Sequence, residues 1–324
     1  MIKQIQHLPP YKNFPIDVLR LDLIHPFYGG NKYFKLKYNI QKAMESQGFD
    51  YAQPDRALLP DGHTERSRSA TILTFGGAHS NHIYATASYC HEQKLKCVGV
   101  IRGEESSIEN SPTLQFAKQL GMHLHFVSRE LYKTKTEQEL VTDLKKEFGD
   151  FYLIPEGGNN DEGIKGCMEI LDEVPFYDHI FCACGTSCTY TGILSSAKKD
   201  QKIIGISVLK GENQLIDDVN ANASKFNFEK IKPYSSGKVD HSTILNDYHF
   251  GGYAKHTQEL LDFKRNFENE YKIPLDHVYT SKLFYAVYDL INKGLIPENK
   301  KLLIVHSGGL QGNAAYEKRY GMTQ

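Results

Sequence analysis

Short apolar runs alternate along this chain with longer stretches in which apolar residues recur every three or four positions. A short apolar run between polar turns is typical of a buried strand, and a period of about 3.6 residues is typical of an amphipathic helix. The predicted strands lie at residues 18–24, 72–75, 97–101, 124–127, 152–154, 180–183, 203–208 and 302–305. The predicted helices include residues 31–47, 81–93, 137–147, 258–270 and 281–293. This alternation predicts an α/β protein with mostly parallel sheets and right-handed crossovers.

Two of the predicted strands end in polar, glycine-containing turns. The strand at 72–75 runs into Gly76 and Gly77, and Ser80 or Asn81 is predicted to cap the helix that follows. The strand at 180–183 is followed by Gly185 and then by Thr186, Ser187, Cys188 and Thr189. Backbone N–H groups at a helix start, together with hydroxyl groups, form a site for an anion such as phosphate. No lysine follows Gly185 at P-loop spacing, so the sequence does not predict a P-loop.

A third stretch places two lysines at the start of a predicted helix. Gly29 and Gly30 end an apolar run, and Lys32 and Lys35 follow within two turns. Glycine allows the backbone to approach a ligand closely, and a lysine on a helix is held on a rigid element. Such a lysine is either a solvated surface charge or a nucleophile. A nucleophilic lysine, an anion site and a second polar turn together indicate pyridoxal 5'-phosphate.

The ordered set of motifs resembles the D-cysteine desulfhydrase and 1-aminocyclopropane-1-carboxylate deaminase family, within the tryptophan synthase β-like fold type. The stretches that carry this resemblance are residues 29–36, 80–82, 154–159, 278–282 and 306–309. The resemblance implies two three-layer α/β domains with the cofactor between them, and a homodimer. The larger, cofactor-binding domain would comprise residues 1–35 and 150–324, and the smaller domain would comprise residues 36–149.

The resemblance also implies roles for individual residues. Lys35 would be joined to the cofactor, and Lys32 competes with it but is interpreted as a surface or phosphate-side charge. The further cofactor contacts would be Asn81 at the phenolic oxygen, Ser307 at the pyridine nitrogen, and Gly185, Thr186, Ser187, Cys188 and Thr189 at the phosphate. The substrate contacts would be Ser80, His82, Tyr253, Tyr279 and Thr280, with Ser80 and Tyr279 also candidates for proton transfer.

The reaction is predicted from Thr280, which stands where the cyclopropane-opening enzymes carry glutamate. A carboxylate at the ring nitrogen favours the protonated ring and a stronger electron sink, whereas the hydroxyls of Thr280 and Ser307 do so far less. The sequence therefore predicts β-elimination from a small amino acid, with D-cysteine giving pyruvate, ammonia and sulfide. The alternatives are a deaminase of the aminocyclopropane-carboxylate type, an amino-acid racemase, and a non-catalytic protein that binds pyridoxal phosphate. Departures from the family's residues at Glu156, Gly251, Gly252 and Ala254 keep the deaminase and the racemase open. Cys188, where relatives carry Gly or Ser, and the insertion before Ile72 keep the non-catalytic protein open.

Composition narrows the picture further. The chain has 324 residues and a formal net charge of −1, which argues against a nucleic-acid partner. No apolar run is long enough for a membrane span and no signal peptide is apparent, so a cytoplasmic protein is predicted. The six cysteines are expected to be reduced, with Cys182 and Cys184 on one strand face as small hydrophobes, and no metal site is predicted. Residues 51–69 are interpreted as an inserted, mobile surface loop.

Overall fold

The protein is described by a computed structural model over residues 3–46, 70–135, 138–211 and 214–322. The predicted insertion at 51–69 lies outside the described residues. The chain forms two compact units, one of Met1–Lys35 with Gly163–Gln324 and one of Leu36–Glu162. Within the described ranges, none of the helices has the length and apolar character that crossing a bilayer requires.

The first unit contains a six-stranded sheet. Its strands are β1 (Gln4–His7), β2 (Ile16–Arg20), β7 (His179–Cys184), β8 (Lys202–Ser207), β9 (Thr243–Leu245) and β10 (Leu302–His306). They lie in the order β1-β2-β10-β7-β8-β9, and all pairs are parallel except β1 with β2. The helices of this unit are α7 (Cys188–Ser195), α8 (Gln214–Asn220), α9 (Gln258–Tyr271), α10 (Thr280–Asn292) and α11 (Asn313–Tyr320). Helices α1 (Asn31–Ser46) and α6 (Asp161–Met168) cross the boundaries between the units.

Alternate residues of each central strand enter different apolar clusters, because successive side chains of a strand point to opposite faces. On β10, Leu302 and Ile304 pack in a first apolar cluster with side chains of α9 and α10. Leu303 and Val305 pack in a second apolar cluster with side chains of α6 and α7. Cys182 and Cys184 both enter the second cluster, which confirms their predicted place on one strand face. The sheet is thus covered on both faces, and the unit has three layers.

The second unit contains a four-stranded, fully parallel sheet in the order β5-β4-β3-β6. The strands are β3 (Thr71–Gly77), β4 (Lys96–Arg102), β5 (His123–Val127) and β6 (Tyr152–Ile154). The other helices of this unit are α2 (Asn81–Glu92), α3 (Pro112–Gln119), α4 (Arg129–Lys133) and α5 (Gln138–Phe148). Side chains of α4 and α5 pack on β3 and β4, and α2 packs against β3, β4 and α3.

The structure corrects several predicted boundaries. The predicted strand 18–24 begins at Ile16 and ends at Arg20, because a 3-10 turn at Leu21–Leu23 replaces its second half. The chain returns to the first unit at Gly163 rather than at residue 150, because β6 pairs with β3 of the second sheet. Strands β1 and β9 were not predicted from the sequence.

Candidate active site

The candidate site of the first unit lies at the carboxyl ends of three neighbouring parallel strands, β2, β10 and β7. Ligands of open α/β sheets bind at this edge. The chain leaves β2 toward the lysine-bearing start of α1, leaves β10 at Ser307, and leaves β7 at Gly185. The topology therefore brings together, in one unit, three segments that lie far apart in the sequence.

Backbone contacts attach the start of α1 to the end of β10. The N–H of Gly30 donates to the carbonyl of Leu21 at 2.8 Å, and the N–H of Asn31 donates to the carbonyl of Ser307 at 3.2 Å. Gly30 has a φ of +76°, and a Cβ there would lie 2.0 Å from the carbonyl oxygen of Ser307. Glycine is required at this position both for the left-handed conformation and for the close approach.

The two lysines of α1 have different surroundings. Lys35 is buried, and its Nζ donates a hydrogen bond to Oγ1 of Thr186 at 3.1 Å. Lys32 is half-buried, and its Nζ lies 3.4 Å from Oδ1 of Asn31. Burial of the Lys32 amine, and after it the nearby charge of Lys35, lowers the pKa of Lys32 to about 7. A nucleophilic amine must be neutral, and Lys32 meets that condition near neutral pH.

The turn after β7 supplies hydroxyl groups and a helix start. Ser187 and Thr189 are buried, and Oγ1 of Thr189 accepts a hydrogen bond from Nδ2 of Asn31 at 2.9 Å. Cys188 begins α7, and its side chain packs in the second apolar cluster, where it hydrogen-bonds with Cys167. Burial, together with that hydrogen bond, raises the pKa of Cys167 well above its ordinary value. The thiol of Cys188 thus belongs to the core, and its presence in the motif is compatible with an anion at the helix start.

Two tyrosines lie beside this turn. A Cβ at Gly185 would lie 2.8 Å from Cε1 of Tyr279, so the missing side chain of Gly185 allows the tyrosine ring to lie against the turn. The rings of Tyr279 and Tyr253 meet edge to face, with centroids 6.1 Å apart, and Tyr253 is 50% exposed. The structure therefore brings the predicted substrate contacts Tyr253 and Tyr279 together, next to the predicted phosphate turn.

Asp276 fixes the start of α10, which follows Tyr279. Its carboxylate accepts hydrogen bonds from the N–H groups of Val278, Tyr279 and Thr280 at 2.8, 2.9 and 2.7 Å, and from the Thr280 hydroxyl at 2.8 Å. The first N–H groups of a helix have no intrahelical acceptor, and Asp276 supplies one. The hydroxyl of Thr280, predicted to contact substrate, is thus buried and engaged within the helix cap.

A buried polar network supports Ser307 from the neighbouring strand. The guanidinium of Arg20 donates to both carboxylate oxygens of Asp22, at 2.9 and 2.7 Å. Nδ1 of His306 lies 3.2 Å from Oδ1 of Asp22, and its Nε2 lies 2.8 Å from the carbonyl oxygen of Pro274. Because His306 directly precedes Ser307, this network holds the end of β10 in place.

The remaining predicted site residues, Ser80, Asn81 and His82, belong to the second unit. Oγ of Ser80 caps α2 by accepting from the N–H groups of His82 and Ile83, at 3.2 and 3.3 Å. These bonds use the acceptor side of the hydroxyl, which keeps one hydrogen for donation to a ligand. Asn81 is half-buried at the first position of α2. His82 is buried, with Nε2 at 2.8 Å from Oγ1 of Thr74, which ties it to the sheet.

The residues of the first unit fit pyridoxal phosphate. Lysine amines, one of them with a lowered pKa, lie beside a hydroxyl-bearing turn that begins a helix. The sequence reasoning did not assign roles to Asn31 or Asp276. Asn31 lies inside the lysine motif, and Asp276 stands four residues before Thr280, a spacing at which an acidic cap can precede a helix.

Comparison with known proteins agrees with this chemistry. The sequence model of the family described as pyridoxal-phosphate dependent enzymes matches residues 18–308 of this chain. The chain therefore belongs to the family of pyridoxal-phosphate dependent enzymes.

Individual relatives indicate which kind of pyridoxal-phosphate dependent enzyme the chain is similar to. A protein of Pyrococcus horikoshii, provisionally named a 1-aminocyclopropane-1-carboxylate deaminase, is 28% identical over 326 residues, covering 96% of this chain and 90% of that protein. The mitochondrial bifunctional D-cysteine desulfhydrase/1-aminocyclopropane-1-carboxylate deaminase of Arabidopsis thaliana is 28% identical over 268 residues, covering 75% of this chain and 64% of that protein. The crystal structure of a homologue of aminocyclopropane-carboxylate deaminase is 26% identical with a TM-score of 0.76, covering 99% of this chain and 94% of that chain.

These likenesses confirm the predicted family, the tryptophan synthase β-like fold type and the dependence on pyridoxal phosphate. The protein is an enzyme of the lyase/deaminase class to which aminocyclopropane-carboxylate deaminase and D-cysteine desulfhydrase belong. The roles assigned to individual residues remain predictions.

Proposed function

We propose that this enzyme eliminates the β-substituent of a small D-amino acid, with D-cysteine and water giving pyruvate, ammonia and sulfide. The observation that carries the proposal is the pair of neutral hydroxyl residues Thr280 and Ser307, which the family resemblance assigns to the surroundings of the pyridine nitrogen. The Thr280 hydroxyl donates to Asp276 within a helix cap, so it supplies no negative charge of its own to a pyridine ring. Abstraction of an α-proton followed by β-elimination makes less demand on ring protonation than opening a cyclopropane.

When bound, pyridoxal phosphate withdraws electrons from the α-carbon of an amino acid, and the protein supplies orientation and proton transfer. The turn from Gly185 to Thr189 would hold the phosphate, with Ser307 at the pyridine nitrogen and Asn81 at the phenolic oxygen. Tyr253 and Tyr279 would contact the substrate. A lysine Nζ of α1 would take the α-proton, which requires a neutral amine.

Two lysines compete for the covalent attachment of the cofactor. The prediction from sequence is Lys35, and the electrostatics of the site favour Lys32, because the pKa of Lys32 is lowered to about 7. In this second arrangement, Lys35 provides the positive charge that helps to keep Lys32 neutral, while it donates to Thr186. A cationic neighbour is a known means of activating a lysine nucleophile.

Borohydride reduction of the enzyme with its cofactor, followed by peptide mass spectrometry, separates the two lysines. Labelling of Lys32 in the wild type and in Lys35→Arg, with none in Lys32→Arg, would support Lys32. Labelling of Lys35 in the wild type and in Lys32→Arg would support the prediction from sequence. The two substitutions are matched, because each places a permanently charged guanidinium at its position and removes the primary amine.

Substrate assays test the reaction itself. We expect pyruvate and sulfide from D-cysteine, and pyruvate from D-serine and β-chloro-D-alanine. The names of the relatives favour one rival, opening of 1-aminocyclopropane-1-carboxylate to a four-carbon 2-oxoacid and ammonia. Release of that acid without pyruvate from D-cysteine would replace our proposal with the rival. An inverted amino acid as the product would indicate a racemase, and a bound cofactor without turnover of any amino acid would indicate a non-catalytic binding protein.

Two further expectations accompany this proposal. The resemblance implies a homodimer, which sedimentation equilibrium of the purified protein would test. The amino-acid substrate is consistent with a cytoplasmic location, which fractionation of the source cells would test.

A further inference from the structure

Lys282 lies inside the first unit with no exposed surface, although lysine is rarely buried. It stands on α10, one turn after Tyr279. Its Nζ donates hydrogen bonds to the carbonyl oxygens of His249 and Gly252, each at 2.8 Å. Burial lowers the pKa of Lys282 to about 8, and the nearby carboxylate of Asp276 acts in the opposite direction. A buried amine is costly, and its position against two carbonyls calls for a reason beyond packing.

The segment that Lys282 holds has an unusual backbone. Phe250, Gly251, Gly252 and Ala254 have φ values of +52°, +93°, +118° and +53°. Positive φ is uncommon for residues other than glycine and is maintained only where surrounding contacts impose it. The amine of Lys282 donates to the carbonyls of His249 and Gly252, the first and last residues of a tight turn. The N–H of Gly252 also donates to the carbonyl of His249, at 3.0 Å.

This segment carries Tyr253, which follows directly after the bonded carbonyl of Gly252. Tyr253 is half-exposed and meets the ring of Tyr279 edge to face. Helix α10 therefore helps to fix the positions of both tyrosines. Tyr279 directly precedes its first turn, and Lys282 in that turn bonds the loop that carries Tyr253.

We propose that Lys282 is a positioning residue for substrate recognition, which holds residues 249–254 so that Tyr253 stands against Tyr279. The proposal rests on the proposed function only in giving these tyrosines a substrate to contact. Loss of the amine would remove one of the two donors from each carbonyl, leaving only the N–H of Gly252 on His249 and the N–H of Lys255 on Gly252. The left-handed backbone would then loosen, so that Tyr253 samples many orientations.

The chain contains no tryptophan, so Tyr253→Trp introduces a single fluorescent reporter on this loop. We would measure acrylamide quenching and anisotropy decay in two proteins, Tyr253→Trp and Tyr253→Trp combined with Lys282→Met. Methionine keeps the length of the lysine side chain but donates no hydrogen bond. We expect the quenching constant to rise about two- to threefold and the amplitude of fast anisotropy decay to increase. Lys282→Gln retains an N–H donor and should give an intermediate value, and it replaces Lys282→Met if that variant does not fold.

The matched control is Leu290→Ala in the same reporter protein, because Leu290 is buried on α10 and packs in the apolar core. It weakens the helix packing without removing a bond to the loop. An unchanged quenching constant in folded Lys282 variants, or the same rise in Leu290→Ala, would overturn the proposal.

A kinetic measurement extends the test to recognition. In the protein that retains Tyr253, Lys282→Met should raise KM for D-cysteine about tenfold, with a smaller change in kcat and unchanged cofactor absorbance. A fall in kcat alone would contradict a role in recognition. If the enzyme does not turn over D-cysteine at all, the fluorescence measurement still decides whether Lys282 holds the loop, so the two proposals can fail separately.

Discussion

Gly166→Ala should disturb the lysines of α1 from a backbone position on a different helix. Gly166 lies in α6, and a Cβ there would stand 1.9 Å from the carbonyl oxygen and 2.8 Å from the carbonyl carbon of Phe34. Cβ atoms do not approach heavy atoms closer than 3.0 Å, so one backbone must move by about 1.1 Å. Both partners are backbone, and no flexible side chain can yield. Because Phe34 lies between Lys32 and Lys35, both amines should move with it.

The magnitude follows from two opposing effects. Overpacking of a buried contact costs roughly 1–3 kcal/mol, and replacing a glycine inside a helix by alanine returns about 1 kcal/mol. We therefore expect a net loss of about 0–2 kcal/mol in the free energy of unfolding. The functional effect should be larger, because a displacement of about 1 Å of a catalytic group can lower activity by roughly 10²-fold.

Three measurements on the same preparation check this reasoning: chemical unfolding, titration with pyridoxal phosphate by visible absorbance, and the steady-state rate. Gly211→Ala is the matched control, because no atom in the described part of the chain lies within 4 Å of a Cβ there. We expect that control to behave as the wild type does. Cofactor affinity and rate within twofold of wild type in Gly166→Ala would refute the argument that this contact fixes the lysines.

Three further predictions concern single side chains. Lys35→Met should raise the pKa of Lys32, because a neighbouring positive charge is removed. The midpoint of cofactor attachment in an absorbance titration should therefore move to higher pH, whereas Lys35→Arg should leave it in place. Asp276→Ala should lower the free energy of unfolding by at least 1–2 kcal/mol, roughly the cost of losing a helix cap. It should also impair catalysis, because Tyr279 is displaced; activity equal to that of the wild type would argue against a positioning effect of Asp276. Ser80→Ala should cost about 1 kcal/mol in urea unfolding through loss of the α2 cap, whereas Ser80→Gly should cost only roughly a few tenths of that. Both variants lack the hydroxyl, so an equal fall in kcat in the two would exclude a purely structural role.

The pKa values of Lys32 and Lys282 also have a consequence for stability. Their folded-state pKa values, about 7 and about 8, lie below the value of 10.5 expected in the unfolded chain. The unfolded state therefore binds more protons in the interval from these values up to 10.5, and the contribution of both residues to stability rises with pH across it. Lys282→Met should flatten the upper part of this rise in denaturant midpoints measured from pH 7 to pH 10. A variant with the same slope as the wild type would show that Lys282 titrates normally.

The periodic pattern predicted most of the fold because neighbouring residues encode which face of an element is buried. The long helices at 31–47, 81–93, 258–270 and 281–293 were predicted with starts and ends close to those observed, where residue 47 itself lies outside the described ranges. Strand β1 was missed because its sequence, Gln-Ile-Gln-His, is polar and lies at the sheet edge, where burial imposes no apolar run. Strand β9 was missed because only Ile244 and Leu245 are apolar in it and polar residues flank them, whereas β6, which is equally short, continues an apolar run from Phe151.

The sequence by itself determined the α/β class, the order of the motifs and the set of chemical groups available to the site, since these depend on residues close together in the chain. Only the tertiary structure decided which groups meet. Asn31 bonds Thr189, 158 residues away, and Lys282 on α10 bonds the carbonyl of Gly252 in the loop before α9. The lowered pKa of Lys32 likewise depends on burial and on a fixed separation from Lys35, which local sequence does not specify. Long-range packing sets these distances, and hydrogen-bond strength and electrostatic energy both depend on distance and on exclusion of water.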